Sequence, residues 1–208
     1  MKKSKRKAKS NSWKIKQHSD QYFKKSKILG YRSRASFKLI ELNDKFKFLN
    51  KDTNLLDLGS SPGGWSQVAS KLITKGKIYS IDIKDMEPIK NVKFLKCDIF
   101  DLDTKEKILN HFNGNLNVII SDMAANTTGN KSLDSIRTNQ LCMEAINFST
   151  KILANNGVFI SKTFMGEDFI EVKNLAKRLF KNVNFFKPKS SRNESKETYL
   201  HCELLKSL

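Results

Sequence analysis

Cysteine, proline and long apolar runs are all scarce in this sequence, whose 208 residues include only 3 Cys and 3 Pro. Cys97, Cys142 and Cys202 lie far apart and, with the histidines, form no C-x-x-C or H-x-x-x-H pair, which argues against a disulfide framework and a metal site. Reduced core thiols are expected instead. No stretch reaches the roughly 18 apolar residues that span a bilayer, so no membrane association is expected. No apolar segment of signal-peptide type follows the charged start, and the expected location is cytoplasmic. Acidic residues are also few, 21 against 39 Lys and Arg, for a formal net charge of +18. That excess points to a polyanionic partner such as nucleic acid. Lys supplies 33 of the 39, and Asn and Ile are abundant too, so AT-rich coding is a competing source of the same bias.

Acid is absent from the first sixteen residues, MKKSKRKAKSNSWKIK, eight of which are Lys or Arg. Like charges repel and almost nothing apolar is available to bury, so residues 1–18 are expected to form a disordered basic arm. On RNA such an arm adds salt-sensitive, sequence-independent affinity. Residues 19–208 suffice for one full-sized core, and a single domain, acting as a monomer, is expected.

Within that domain, SRASFKLIELNDKF sets Ala35, Leu39, Leu42 and Phe46 on one helical stripe, with Ser33 as the expected N-cap and Lys38 on the flank. Strand and helix patterns then alternate. Strands are expected at NLLDLG, GKIYSIDI, VKFLKCDIF, NVIISDMA and GVFISKTF. The helices between them include a long one with Leu141, Ala145, Phe148 and Ile152 on one face and Asn156-Gly157 as its stop. Short apolar strands without polar alternation indicate a mostly parallel sheet covered on both faces. VNFFKPK and TYLHCELL close the chain without room for a helix between them. The expected fold is therefore α/β, Rossmann-like, seven-stranded, with an antiparallel edge hairpin.

The turn DLGSSPGGWSQ follows the first strand directly. In a doubly wound sheet, ligands sit beyond the carboxyl ends of the strands, beside this turn. Gly59, Gly63 and Gly64 let backbone approach a ligand closely. Their spacing is not the G-x-G-x-x-G of a pyrophosphate loop, and Pro62 and Trp65 occupy the region a pyrophosphate needs. A nicotinamide-dependent oxidoreductase is disfavoured for that reason. Asp82, at the second strand end, is placed to accept ribose hydroxyls, and Asp98, at the third, to accept from an adenine amino group. Each alone also reads as a helix cap or solvated turn residue. Together with the glycine turn they fit S-adenosylmethionine.

Four blocks, YFKKSKILGYRSRASFKL, DLGSSPGGWSQ, SDMAANTTG and SSRNESKETY, resemble the signature blocks of the FtsJ-type ribosomal RNA 2′-O-methyltransferases, in the same order and with similar spacing. The resemblance covers about residues 19 to 205. It implies a class I methyltransferase fold, S-adenosylmethionine as donor, and a Lys-Asp-Lys-Glu tetrad falling on Lys38, Asp122, Lys162 and Glu197, with Asp122 also near the donor. Gly59 and Gly64 resemble the bacterial large-subunit branch, which implies methylation of a uridine in 23S rRNA on the assembled 50S particle. The rivals are tRNA or another RNA as substrate, and a non-catalytic assembly factor of the same fold. MAAN stands where the family commonly has MAPN, which removes a rigid turn after Asp122.

Asp122 and Lys162 are expected to end neighbouring strands, about 4.8 Å apart, so that their side chains meet. Lys162 either accepts the hydroxyl proton or steers the hydroxyl, and both roles stay open. Glu197 is expected to fix the lysine geometry, and Lys38 to engage RNA or the hydroxyl. Arg32 and Arg34, beside Tyr31, read either as phosphate contacts with base stacking or as a plain basic loop.

Overall fold

The computed structural model describes residues 20–99, 101–114 and 116–206, so the basic arm at 1–18 lies outside the described residues. Helix α1 (Gln21–Ile28) is capped by Asp20, whose carboxylate accepts the Tyr22 and Phe23 N–H groups. Helix α2 (Ser36–Phe46) carries Leu39 and Leu42 fully buried, as their spacing requires. It starts three residues beyond Ser33. Ser33 does not cap it, because its side chain packs over Gly64 and only its carbonyl takes the Ser36 N–H.

The chain then lays down β1 (Leu55–Leu58), α3 (Gly64–Leu72), β2 (Ile78–Asp82), β3 (Val92–Lys96), α4 (Leu102–Phe112), β4 (Val118–Ser121), α5 (Lys131–Ser149), β5 (Val158–Phe164), α6 (Phe169–Leu179), β6 (Phe180–Phe186) and β7 (Glu197–Leu205). The seven strands form one sheet in the order β3-β2-β1-β4-β5-β7-β6. The first five are parallel, and β7 runs antiparallel to both β5 and β6. The closing pair is thus the expected hairpin, with β6 as the edge and β7 pairing with the parallel block.

Alternation along each strand splits the core in two, since successive side chains point to opposite faces. Leu56, Leu58, Ile119 and Phe159 pack with Ala145 and Ile146 of α5 and Val172 and Ala176 of α6. Leu55, Ile120 and Ile160 pack with Leu39 and Leu42 of α2 and Trp65, Val68 and Ala69 of α3. Each fully buried Leu or Ile contributes about 1.5–3 kcal/mol, and together they hold the strand ends in fixed positions. Cys142 and Cys202 are buried free thiols, and burial pushes Cys142 up to about 12.

Helix α5 differs from its sequence pattern at its end and on its buried face. It stops at Ser149 rather than at Asn156-Gly157, and Ile152 lies beyond it. The Ser149 and Thr150 hydroxyls donate to the carbonyls of Ile146 and Asn147, which competes with the helical ladder. Its buried face runs through Thr138, Cys142, Ala145 and Ser149, with Leu141 and Phe148 only half-buried on its flank.

Candidate active site

The parallel order places the carboxyl ends of β1, β2, β3 and β4 around a cavity of about 460 Å³, within the range of small-molecule sites. Gly59, Asp82, Asp98 and Asp122 all line it. Gly59 has φ 71°, and a Cβ there would sit 2.3 Å from Met123 Cγ, so the turn and the loop after β4 touch only because the residue is glycine. Asp82 ends β2, and its two oxygens accept the Ser61 and Lys84 N–H groups at 2.8 Å each. Asp98 lies two residues past the end of β3 and is exposed to the cavity.

The rest of the turn faces the protein. A Cβ on Gly63 would meet Arg32, Ile89 and Met86, and one on Gly64 would meet Ser33 and Ser36. Trp65 is buried, donates its indole N–H to the Ala35 carbonyl at 2.8 Å and packs against Tyr199. None of these three lines the cavity wall, so what they offer a ligand is backbone and the course of the turn.

Beside the cavity, four charged groups and a phenol interlock. Ser121 of β4 is in register with Ser161 of β5, so Asp122 and Lys162 come next to each other, although Lys162 lies inside β5 rather than at its end. Lys162 Nζ donates to Asp122 Oδ1 at 2.9 Å and to the Asp122 carbonyl at 2.6 Å. Tyr199 donates its hydroxyl to the same Oδ1 at 2.7 Å. Lys38 Nζ lies 2.8 Å from Glu197 Oε1 and 5.6 Å from the centre of the Tyr199 ring. Glu197 is the first residue of β7, and the antiparallel course of that strand brings it to the cavity end of the sheet.

Lys38 and Lys162 are 9% and 7% exposed, so neither is a surface lysine snorkelling to water. Burial pushes the Asp122 carboxyl up, but the Lys162 and Lys38 cations and the Tyr199 hydroxyl outweigh it and hold it below the usual range. Burial, followed by the Asp122 charge, keeps Tyr199 protonated and therefore a donor. Asn139 of α5 pins the far end of β5, bonding the Thr163 hydroxyl and both backbone groups of Phe164.

A glycine turn, acids at successive strand ends and this lysine-aspartate-lysine-glutamate cluster meet at one crevice, and residues 31–204 match the FtsJ-like methyltransferase family. The chain belongs to that family. It is 47% identical over 197 residues to ribosomal RNA large subunit methyltransferase E of Pelagibacter ubique, covering 95% of this chain and 97% of that one. It is 46% identical over 202 residues to the protein of the same name in Rickettsia akari, covering 94% and 89%. A ribosomal RNA methyltransferase of Plasmodium falciparum superposes with a TM-score of 0.75 at 33% identity, covering 84% of this chain and 98% of that one. Human methyltransferase-like protein 13, solved with SAH, shares the fold alone, with a TM-score of 0.57 at 16% identity over 81% of this chain and 79% of that one.

In this FtsJ-like domain Arg32 and Arg34 are struts. Arg32 donates to the carbonyls of Pro62, Glu87 and Pro88, locking the glycine turn to the loop after β2. Arg34 pairs with Asp20 and donates to the Ser190 carbonyl, tying α1 to the loop ahead of β7. Part of each guanidinium fork is thus engaged by the protein itself. Tyr31 packs edge-on against Phe37 beneath Lys71.

Two residues near the tetrad and the glycine turn were not singled out from the sequence. Tyr199 stands two positions after Glu197, and period-two alternation in ETY puts both on one face. Asp57, a carboxylate inside the apolar run LLDL, is 1% exposed.

Proposed function

We propose that this chain methylates the 2′-hydroxyl of a ribose in large-subunit ribosomal RNA, with S-adenosylmethionine as donor. The observation that carries the reading is the buried Lys38, Asp122, Lys162, Glu197 cluster at the edge of an acid-lined cavity. The cavity's chemistry fits the donor: Asp82 and Asp98 suit a ribose and an adenine amino group, and its carboxylates suit a cation. When bound, S-adenosylmethionine supplies an electrophilic methyl on a positively charged sulfur.

The protein's own task is then to hold the acceptor hydroxyl in line and dispose of its proton, work in which positioning dominates. An ammonium has three donors, and Asp122 engages two of Lys162's. The remaining direction donates to the hydroxyl oxygen or, with Lys162 neutral, takes its proton. Asp122 fixes Lys162, Tyr199 fixes Asp122, and Glu197 anchors Lys38, which borders the acceptor. All four tetrad residues come from one chain, which supports action as a monomer.

The finer target is a uridine of 23S rRNA within the assembled 50S particle. It is supported by the family, by relatives named ribosomal RNA large subunit methyltransferase E, and by a net charge of +18 suited to an RNA-rich surface. Among the described residues no helix is long and apolar enough to cross a membrane.

The test is transfer of labelled methyl to large subunits lacking the modification, beside naked rRNA and tRNA, with wild type and Lys162→Ala. Expected is label on particles in alkali-resistant linkage, reduced by about 10²–10⁴-fold in Lys162→Ala. Label on tRNA alone moves the substrate, and donor binding without transfer to any of the three overturns the catalytic reading.

A further inference from the structure

Helix α5 grips the chain beyond both Asp122 and Lys162 through two adjacent side chains, Thr138 and Asn139, which are 2% and 0% exposed. Asn139 secures β5 just after Lys162, through Thr163 and Phe164. Thr138 secures the loop after Asp122: its oxygen accepts the Ala125 N–H at 3.2 Å, while its hydroxyl donates to the Asp134 carbonyl one turn earlier at 2.8 Å. Asp134 Oδ1 in turn accepts the Thr128 N–H and hydroxyl at 2.7 and 2.8 Å, which closes the loop back onto the helix.

This loop depends on such anchors. The ladders that join β4 to β1 and to β5 both end at Ser121, so the Asp122 backbone, whose carbonyl receives Lys162, lies beyond the last sheet pair. Ala125 stands where the family commonly carries proline, in MAAN against MAPN. Proline fixes its own φ and has no N–H. Alanine leaves the backbone freer but brings a donor, and that donor finds Thr138. A hydrogen bond to the helix thus stands where the rigid ring is absent.

We propose that Thr138 is a positioning residue for methyl transfer: by tying Ala125 to α5 it fixes the loop that sets Asp122 against Lys162. The inference rests on the methylation reading above. Thr138 acts through backbone three residues after Asp122, not on a reacting atom. Small shifts there matter, because misplacing a catalytic group by about 1 Å slows a reaction on the order of 10²-fold. The geometry also makes proline at 125 and threonine at 138 mutually exclusive. A ring at 125 sets its Cδ on the line from the nitrogen to Thr138 Oγ1, where 3.2 Å leaves no room for a carbon. Ala125→Pro therefore needs a smaller side chain at 138.

Single-turnover methyl transfer to large subunits lacking the modification, with the full chain, saturating S-adenosylmethionine and a temperature at which every variant is folded, tests this. Calorimetric donor affinity and amide exchange are read beside it. Thr138→Ala is expected to slow transfer about tenfold and to speed exchange of the Ala125 amide, with donor affinity changed less than about threefold. Thr138→Ser keeps the hydroxyl and is expected to recover most of the rate. Ala125→Pro alone is expected to be slower than Thr138→Ala, and the double variant faster than either, a coupling that independent sites do not show. A threonine that only stabilises the fold lowers the melting temperature and leaves the rate below it unchanged. An unchanged rate in Thr138→Ala, a donor affinity that falls as far as the rate, or losses that simply add in the double variant overturns the proposal while leaving the methylation reading intact. Wild type that transfers no methyl overturns that reading, and this inference with it.

Discussion

Lys162 Nζ is held twice by one residue, 2.9 Å from Asp122 Oδ1 and 2.6 Å from the Asp122 carbonyl. A guanidinium is planar and longer, and cannot reproduce both contacts from the same point on β5. Lys162→Arg is expected to lower single-turnover methyl transfer by about 10²-fold or more. Donor affinity, measured by calorimetry, is expected to change only a few-fold because the positive charge remains.

Lys38 and Glu197 form a second buried pair at 2.8 Å. Removing one partner of such a pair leaves an uncompensated charge, so Lys38→Met and Glu197→Gln are each expected to cost about 3–5 kcal/mol. The double variant is expected to recover much of that. Denaturant titration of the four proteins in the cycle reads the coupling directly.

Tyr199→Phe removes one hydroxyl and keeps the ring that packs on Trp65. That hydroxyl helps hold Asp122 below the usual carboxylate range, so its loss raises Asp122. A depressed carboxyl contributes stability that is present above its unfolded value and lost as pH falls through its folded one. The variant is therefore expected to lose about 1–2 kcal/mol at neutral pH and to begin its acid-induced decline at higher pH than wild type. Thermal melts from pH 7 down to 3 measure both.

Gly59→Ala puts a methyl against Met123 in a backbone conformation that alanine resists. Met123 itself lines the cavity and must move. Donor affinity is expected to fall by about tenfold or more, with the far side of the core unaffected, as amide exchange in β6 and β7 can show.

Arg34→Ala separates a strut from an RNA contact. The Asp20 and Ser190 partnerships predict a loss of about 1–3 kcal/mol in stability. A phosphate contact predicts instead that the salt slope of RNA binding falls by about one. The expected outcome is the first, with the salt slope unchanged.

The sheet could be read from the sequence because parallel strands buried on both faces appear as bare apolar runs, as in LLDL, VIIS and VFISKTF. The tetrad was legible through the resemblance of its sequence blocks to the FtsJ-type signatures, and only Lys162, inside VFISKTF, also stood out by itself, since lysine is rarely buried without a partner. The carbonyl partners of Arg32 and Arg34 were hidden because a basic loop looks the same whether it faces solvent or carbonyls. Their acceptors at Pro62, Pro88 and Ser190 are distant in sequence. The end of α5 was hidden likewise, since Asn156-Gly157 is a strong stop signal, whereas hydroxyls folding back from Ser149 and Thr150 depend on local geometry.

The antiparallel course of β7 has a consequence for timing. Lys38 sits in the second helix, and its partner Glu197 opens the final strand, so the cluster joins an early part of the chain to a late one. A polypeptide still being synthesised, with its fold advanced as far as β6, has its glycine turn and most of its core but neither Glu197 nor Tyr199 in place. If the cluster acts as proposed above, activity waits on the final strand, and an unfinished copy lacks two members of that cluster.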